Sequence, residues 1–183
     1  GHFITQILKR IMNTSEFKSL LAKSEFTPKE IFEVLAKDED WYIRASVAQN
    51  SNLPKEIFEV LAKDEYYLVR AYVAQNSNLP KEILEILAKD KNHYIRVLVA
   101  KNPKTSKEIL EIFAKDEYYL VRASVAGNSK TSKKILEMLS KDKESYVRAS
   151  VAGNSNISKE ILEIFAKDEH YLVREDASKT LKT

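Results

Sequence analysis

One 26-residue unit recurs six times without a gap from Thr27 almost to the C-terminus, and this constrains the fold more than any other feature. Its clearest copy is Leu53–Asn78, LPKEIFEVLAKDEYYLVRAYVAQNSN. The copies begin at Thr27, Leu53, Leu79, Thr105, Thr131 and Ile157. A fixed period of a few tens of residues is the signature of stacked supersecondary units, each too small to bury its apolar face alone.

Each copy reads as two helices, near 28–37 and 41–49 in the first. The first helix begins at a Pro or Ser: Pro28, Pro54, Pro80, Ser106, Ser132 and Ser158. Pro suits a first helical turn, where its missing N–H would be unpaired anyway. Thr27 and Thr105 read as N-caps, with Glu30 and Glu108 at capping-box spacing. In the second copy Ile57, Phe58, Val60 and Leu61 form the apolar side, and Lys55, Glu56, Glu59 and Lys63 the polar side. So short a helix does not hold in water alone, so packing must hold it. The second helix is predicted over Tyr66–Gln75, ending near Asn76, a residue that tolerates the left-handed C-cap conformation. Val69 and Val73 face inward, while Ala71 and Ala74 let a neighbouring copy approach.

The predicted fold is all-α, a right-handed α-solenoid of two-helix repeats. Residues 1–26 read as degenerate N-terminal capping helices, one over Phe3–Met12 and one over Glu16–Ser24 with Thr14 or Ser15 as its N-cap. Repeats follow at 27–52, 53–78, 79–104, 105–130, 131–156 and 157–183. The last reads Arg174-Glu175-Asp176-Ala177 where others read RASVA or RAYVA and the third RVLVA, giving the polar outer face of a C-terminal cap.

The phrases Leu53-Pro54, Leu61-Ala62-Lys63-Asp64, Val69-Arg70 and Val73-Ala74-Gln75-Asn76 resemble the leucine-rich repeat variant family, and more distantly HEAT repeats. The resemblance covers Thr27–Arg174 and implies a superhelix of paired short helices, one of which is 3₁₀ in that family. The unit here is longer than the family's, which favours two α-helices. The family's best-known member carries an iron–sulfur cluster on cysteines outside its repeats. This chain has no cysteine, so that cofactor does not transfer, and no cofactor is expected.

Composition narrows the function classes. Hydrophobics at 44% and charged residues at 31% fit a folded chain rather than a disordered one. No apolar run is long enough to span a membrane, and GHFITQILKR places its charge after its apolar residues, unlike a signal peptide. Lack of cysteine excludes disulfides, thiolate metal sites and Cys nucleophiles, and fits the cytoplasm. A net charge of +3 is far from that of a dedicated nucleic-acid binder.

Three constellations stand out. The first is an Asp–Arg pair in every copy: Asp38/Arg44, Asp64/Arg70, Asp90/Arg96, Asp116/Arg122, Asp142/Arg148 and Asp168/Arg174. It reads as a structural ladder, each Asp capping the second helix and pairing with an Arg of its own or the next copy. Acids in six equivalent settings are not the singular group catalysis needs, and no hydrolase, P-loop or zincin motif occurs, so no enzyme is expected. His2, His93 and His170 share no repeat position, which argues against a metal site.

The second is a variable stripe on a constant scaffold. It runs Tyr42/Ser46/Gln49, Leu68/Tyr72/Gln75, Tyr94/Leu98/Lys101, Leu120/Ser124/Gly127, Tyr146/Ser150/Gly153 and Leu172/Asp176/Lys179. These positions fall within about 60° of one another on a helix, away from the Val69/Val73 face. Tyr42, Leu68, Tyr72, Tyr94, Leu98, Lys101 and Tyr146 are the candidate contacts for a protein or peptide partner. Trp41, Tyr67, Tyr119 and Tyr171, one position earlier, read as packing residues. The third is the excess lysine of repeats three and five, Lys91, Lys101, Lys104, Lys134 and Lys143, which offers nucleic acid as an alternative partner.

Overall fold

The computed structural model describes residues 1–183, all helix and connection with no strand. The chain divides into two compact units, Gly1–Leu87 and Ala88–Thr183. The first holds α1 (His2–Met12), α2 (Ser15–Lys23), α3 (Lys29–Leu35), α4 (Trp41–Ala48), α5 (Lys55–Leu61), α6 (Tyr67–Gln75) and α7 (Lys81–Leu87). The second holds α8 (His93–Lys101), α9 (Lys107–Phe113), α10 (Tyr119–Gly127), α11 (Lys133–Leu139), α12 (Ser145–Ala152), α13 (Lys159–Phe165) and α14 (Tyr171–Leu181). From α3 onward the helices alternate in step with the 26-residue period, and both helices of each copy are α.

Within each unit the second helices pack in a row, α2 on α4 on α6 in one and α8 on α10 on α12 on α14 in the other. The seven-residue first helices flank that row: α3, α5, α9, α11 and α13 each touch the second helices before and after them, and α7 packs on α6. The row is possible because Ala45, Ala71, Ala123 and Ala149 keep its helices thin, while Val69, Val73, Val121, Val125, Val147 and Val151 are fully buried. Phe32, Phe58, Leu84, Leu110 and Leu136 close the core from the first helices.

Four local expectations are corrected. Val60 lies at the edge of its helix's apolar arc, about 110° from the centre of the Ile57, Leu61 and Phe58 face. It is 43% exposed, and its counterparts Val34, Ile112 and Ile164 more so. Pro28 and Pro54 are extended N-caps rather than first helical residues. Thr27 and Thr105 cap nothing. Their hydroxyls donate back to the carbonyls of Leu21 and Val99, both at 2.5 Å, which ties each connection to the helix it leaves. Capping falls instead to Ser106, Ser132 and Ser158, which accept from N–H groups three residues on.

Asn76 is extended, not left-handed, and no residue has positive φ. Its side chain does something more useful. Nδ2 donates to the Ala48 and Asn50 carbonyls of the preceding copy at 2.7 and 2.9 Å, and Oδ1 accepts from Asn78 N–H. Asn50, Asn128 and Asn154 repeat the arrangement. Thr180 takes this place in the last copy, donating to the Ala152 carbonyl at 2.7 Å. Buried helix-end carbonyls would otherwise lack partners, so each Asn both turns the chain and links two copies.

Candidate partner-binding groove

The arginines and aspartates form rungs between successive copies. Arg44 Nε and Nη2 donate to the two Asp64 carboxylate oxygens at 2.7 and 3.1 Å. Arg96 to Asp116, Arg122 to Asp142 and Arg148 to Asp168 are bidentate in the same way. The side chains of Asp64, Asp116, Asp142 and Asp168 thus take the Arg of the copy before them. The Arg of an Asp's own copy takes its main-chain carbonyl instead, as Arg70 does with Asp64 at 2.7 Å and Arg174 with Asp168 at 2.7 Å. Asp64 does not cap α6. It sits two residues ahead of the Tyr66 N-cap and accepts the Tyr66 N–H at 2.9 Å, shaping the turn. Lys18 stands one period before Arg44 and pairs with Asp38 at 2.8 Å, so the rungs extend into residues 1–26.

This chemistry is spent on structure. Arg44, Arg96, Arg122 and Arg148 have their guanidinium pKa raised, first by the hydrogen bonds to Asp64, Asp116, Asp142 and Asp168. The bond from Arg148 holds the Asp168 carboxyl below its usual range. At Asp38 and Asp142 burial pushes the carboxyl up, but the bonds from Lys18 and Arg122 with nearby N–H groups outweigh it and the net shift is downward. A carboxylate stabilised as an ion is a poor proton donor near neutral pH. No group of three His, Cys, Asp or Glu side chains is gathered as metal ligands would be.

The variable stripe divides by position. Its first members are mostly exposed, with Tyr42 at 52%, Tyr94 at 42% and Tyr146 at 53%. Leu68, Tyr72 and Leu98 are half-buried, and Ser46 and Ser124 are buried. The outer edge of the stripe is therefore surface, and its middle is packed between neighbouring helices. Trp41, Tyr67, Tyr119 and Tyr171 are exposed rather than enclosed. Three of them meet rings edge-on at the surface, Trp41 against Tyr66 at 4.8 Å, Tyr67 against Tyr66 at 5.6 Å and Tyr119 against Tyr146 at 6.1 Å, while Tyr171 stacks on His170.

In the second unit the stripe borders a groove of ≈ 480 Å³ between α8, α10 and α12. Of the sequence candidates, Tyr94, Lys101 and Tyr146 line it, and Leu98 does not. Leu120, Ser124, Gly127 and Ser150, stripe members without an assigned role, line it too. His93 and Val97 were not expected. His93 stacks on Tyr118 at 3.9 Å, with ring planes 9° apart. Tyr42, Leu68 and Tyr72 belong to the other unit.

Thin helices in a row, joined by Asn and Arg–Asp rungs, define an all-α stacked-repeat protein of two-helix units. Among solved structures it is similar to a leucine-rich repeat variant described as having a novel repetitive protein structural motif. The TM-score is 0.72 at 29% identity, over 96% of this chain and 70% of that one. The chain has the leucine-rich repeat variant fold. No protein-family model matches it, and no curated protein does. No helix is long and apolar enough to cross a membrane.

Proposed function

We propose that this is a non-catalytic repeat scaffold that binds a protein or peptide along its second helices, with the α8–α10–α12 groove as its main contact. In this reading residues 1–26 form the N-terminal cap, six 26-residue units form the scaffold, and the cytoplasm is the compartment. The observation that carries it is the coincidence of the variable stripe with the groove. Large amphipathic side chains at the edge of a concave surface supply the desolvated contact area on which protein recognition depends.

The nucleic-acid alternative lacks this support. Lys91 lies in the turn before α8 and Lys101 at its far end, roughly 12 Å of helix away. Lys134 lies on the first helix α11, and Lys143 in the turn before α12. Of the extra lysines only Lys91 and Lys143 share a repeat position, and Glu117 holds that position in the copy between them.

Panning a library of short random peptides on the full chain tests the reading. Peptides enriched on the wild type and lost on the Tyr94→Ala/Tyr146→Ala double variant support it. Equal recovery on both proteins ends it. Recovery of nucleic acid from a mixed pool, lost with Lys91→Ala/Lys101→Ala, would put the alternative in its place.

A further inference from the structure

The groove also carries information about what fills it. Its eleven lining residues include one cation, Lys101, and no carboxylate. The arginines of α8, α10 and α12 are paired with Asp116, Asp142 and Asp168, so Lys101 is the one charged side chain that faces the groove. At the N-terminal end of the three helices the walls are Tyr94, Leu120 and Tyr146, all exposed. Lys101 lies at the C-terminal end of α8 and is exposed.

The floor between these ends is kept low. Ser124 and Ser150 fold their hydroxyls onto the carbonyls of Leu120 and Tyr146 at 2.7 and 3.0 Å, leaving only lone pairs toward the groove. Gly127 ends α10 at a stripe position held by Gln49 and Gln75 in the first two copies. A Cβ added there would meet no atom within 4 Å, and no positive φ requires glycine. Glycine in a helix costs about 0.5–1 kcal/mol relative to alanine, so packing does not explain it. Its effect is to leave the floor of the groove open.

From Leu120 to Gly127 the floor runs roughly 10 Å, the span of about three extended residues. We propose that the groove takes an extended acidic peptide, with an aromatic or aliphatic side chain between Tyr94 and Tyr146 and a carboxylate two or three residues away on Lys101. The charge around the groove points the same way. Ala88–Thr183 carries nineteen basic and fourteen acidic residues, a net +5, whereas Gly1–Leu87 carries eleven and thirteen, a net −2. A positive field speeds encounter with an acidic chain and rejects a basic one.

This rests on the groove being the partner site, and the experiment separates the two. Peptides recovered by panning are titrated by fluorescence polarisation against wild type, Lys101→Glu and Gly127→Gln. The expected peptides pair an acid with an apolar residue two or three positions away. Lys101→Glu should weaken them on the order of tenfold and reduce the salt dependence of binding. Gly127→Gln, which restores the side chain of the first two copies, should abolish binding without lowering the melting temperature. Peptides that depend on Tyr94 and Tyr146 but carry no acid, or are indifferent to Lys101→Glu, would overturn the acidic assignment and leave the site intact. No Tyr-dependent peptides at all would overturn both.

Discussion

Gly1–Leu87 and Ala88–Thr183 are built from the same helices, the same valine and alanine core and the same Arg–Asp rungs, yet they present opposite charge. The first also joins its first helices at the surface, with Lys29 to Glu56 at 3.3 Å and Lys55 to Glu82 at 3.4 Å. In the second, Lys134 stands where that series has Glu30, Glu56, Glu82, Glu108 and Glu160. Its stripe carries Lys101, Gly127 and Gly153 where the first unit has Gln49 and Gln75. The parts that must fit a neighbour are constant, and those that meet solvent have diverged. Repeats thus separate fold from function more cleanly than most domains do, because each copy serves as a control for the others.

Acid should break the comparison most severely. Asp38, Asp142 and Asp168 have pKa values lowered from an ordinary 3.8 in the folded chain. Between the lowered and ordinary values the unfolded chain binds more protons, so folding loses stability as pH falls. The contribution of these groups is full above 3.8 and disappears as pH drops through the lowered values. Two of the three belong to the second unit, which is also the more positive and repels itself more strongly in acid. Hydrogen exchange followed down the pH scale should show Ala88–Thr183 opening first. Simultaneous opening, or earlier opening of Gly1–Leu87, would show that the lowered carboxyls do not set acid stability.

Single rungs come next. Arg122→Ala strands the Asp142 carboxylate, whose side chain is only 9% exposed, and should cost about 3–5 kcal/mol. Arg44→Ala should cost about as much by stranding Asp64, if the two units share one mechanism. Arg174 bonds only carbonyls and is exposed, so Arg174→Ala should cost about 1 kcal/mol or less. Urea melts of the three variants decide the matter. A cost at Arg174 as large as at Arg122 would mean the carbonyl bonds, not the rungs, hold the copies together.

Periodicity makes the fold legible. The spacing of Val69 and Val73 locates a buried second-helix face, and the Asp–Arg repeat marks a ladder. Direction within the ladder was not legible, because an Asp six residues before one Arg is also twenty after another, and only stacking decides which it meets. Asn76 misled for a related reason. Its tolerance of left-handed backbone is a local property, whereas its role depends on Ala48 and Asn50 carbonyls brought by the previous copy. The stripe was legible as variation, but its depth was not. Tyr72 and Leu98 belong to it by spacing, and packing half-buries them. The groove could have been suspected from Gly127, a helix-weakening residue at a position where Gln stands in the first two copies.

The smallest effect on stability carries the sharpest test of the comparison. Tyr42 and Tyr146 occupy the same stripe position four periods apart, in WYIRASVA and SYVRASVA. They are 52% and 53% exposed, and each meets one aromatic ring edge-on, Trp41 at 6.2 Å and Tyr119 at 6.1 Å. Truncating either to Ala removes one such contact and leaves the core intact, so each should cost about 0.5–1 kcal/mol in a thermal melt. Their effects on binding should differ, because Tyr146 lines the groove and Tyr42 belongs to the acidic unit. Tyr146→Ala should weaken panned peptides by about 1–2 kcal/mol, the scale of a modest hot spot, and Tyr42→Ala should not change them. Equal losses at both positions would mean that partners are read along the whole stripe, and that net charge does not choose between the units. A loss at Tyr42 alone would move the site to Gly1–Leu87, where a basic partner would be the better match.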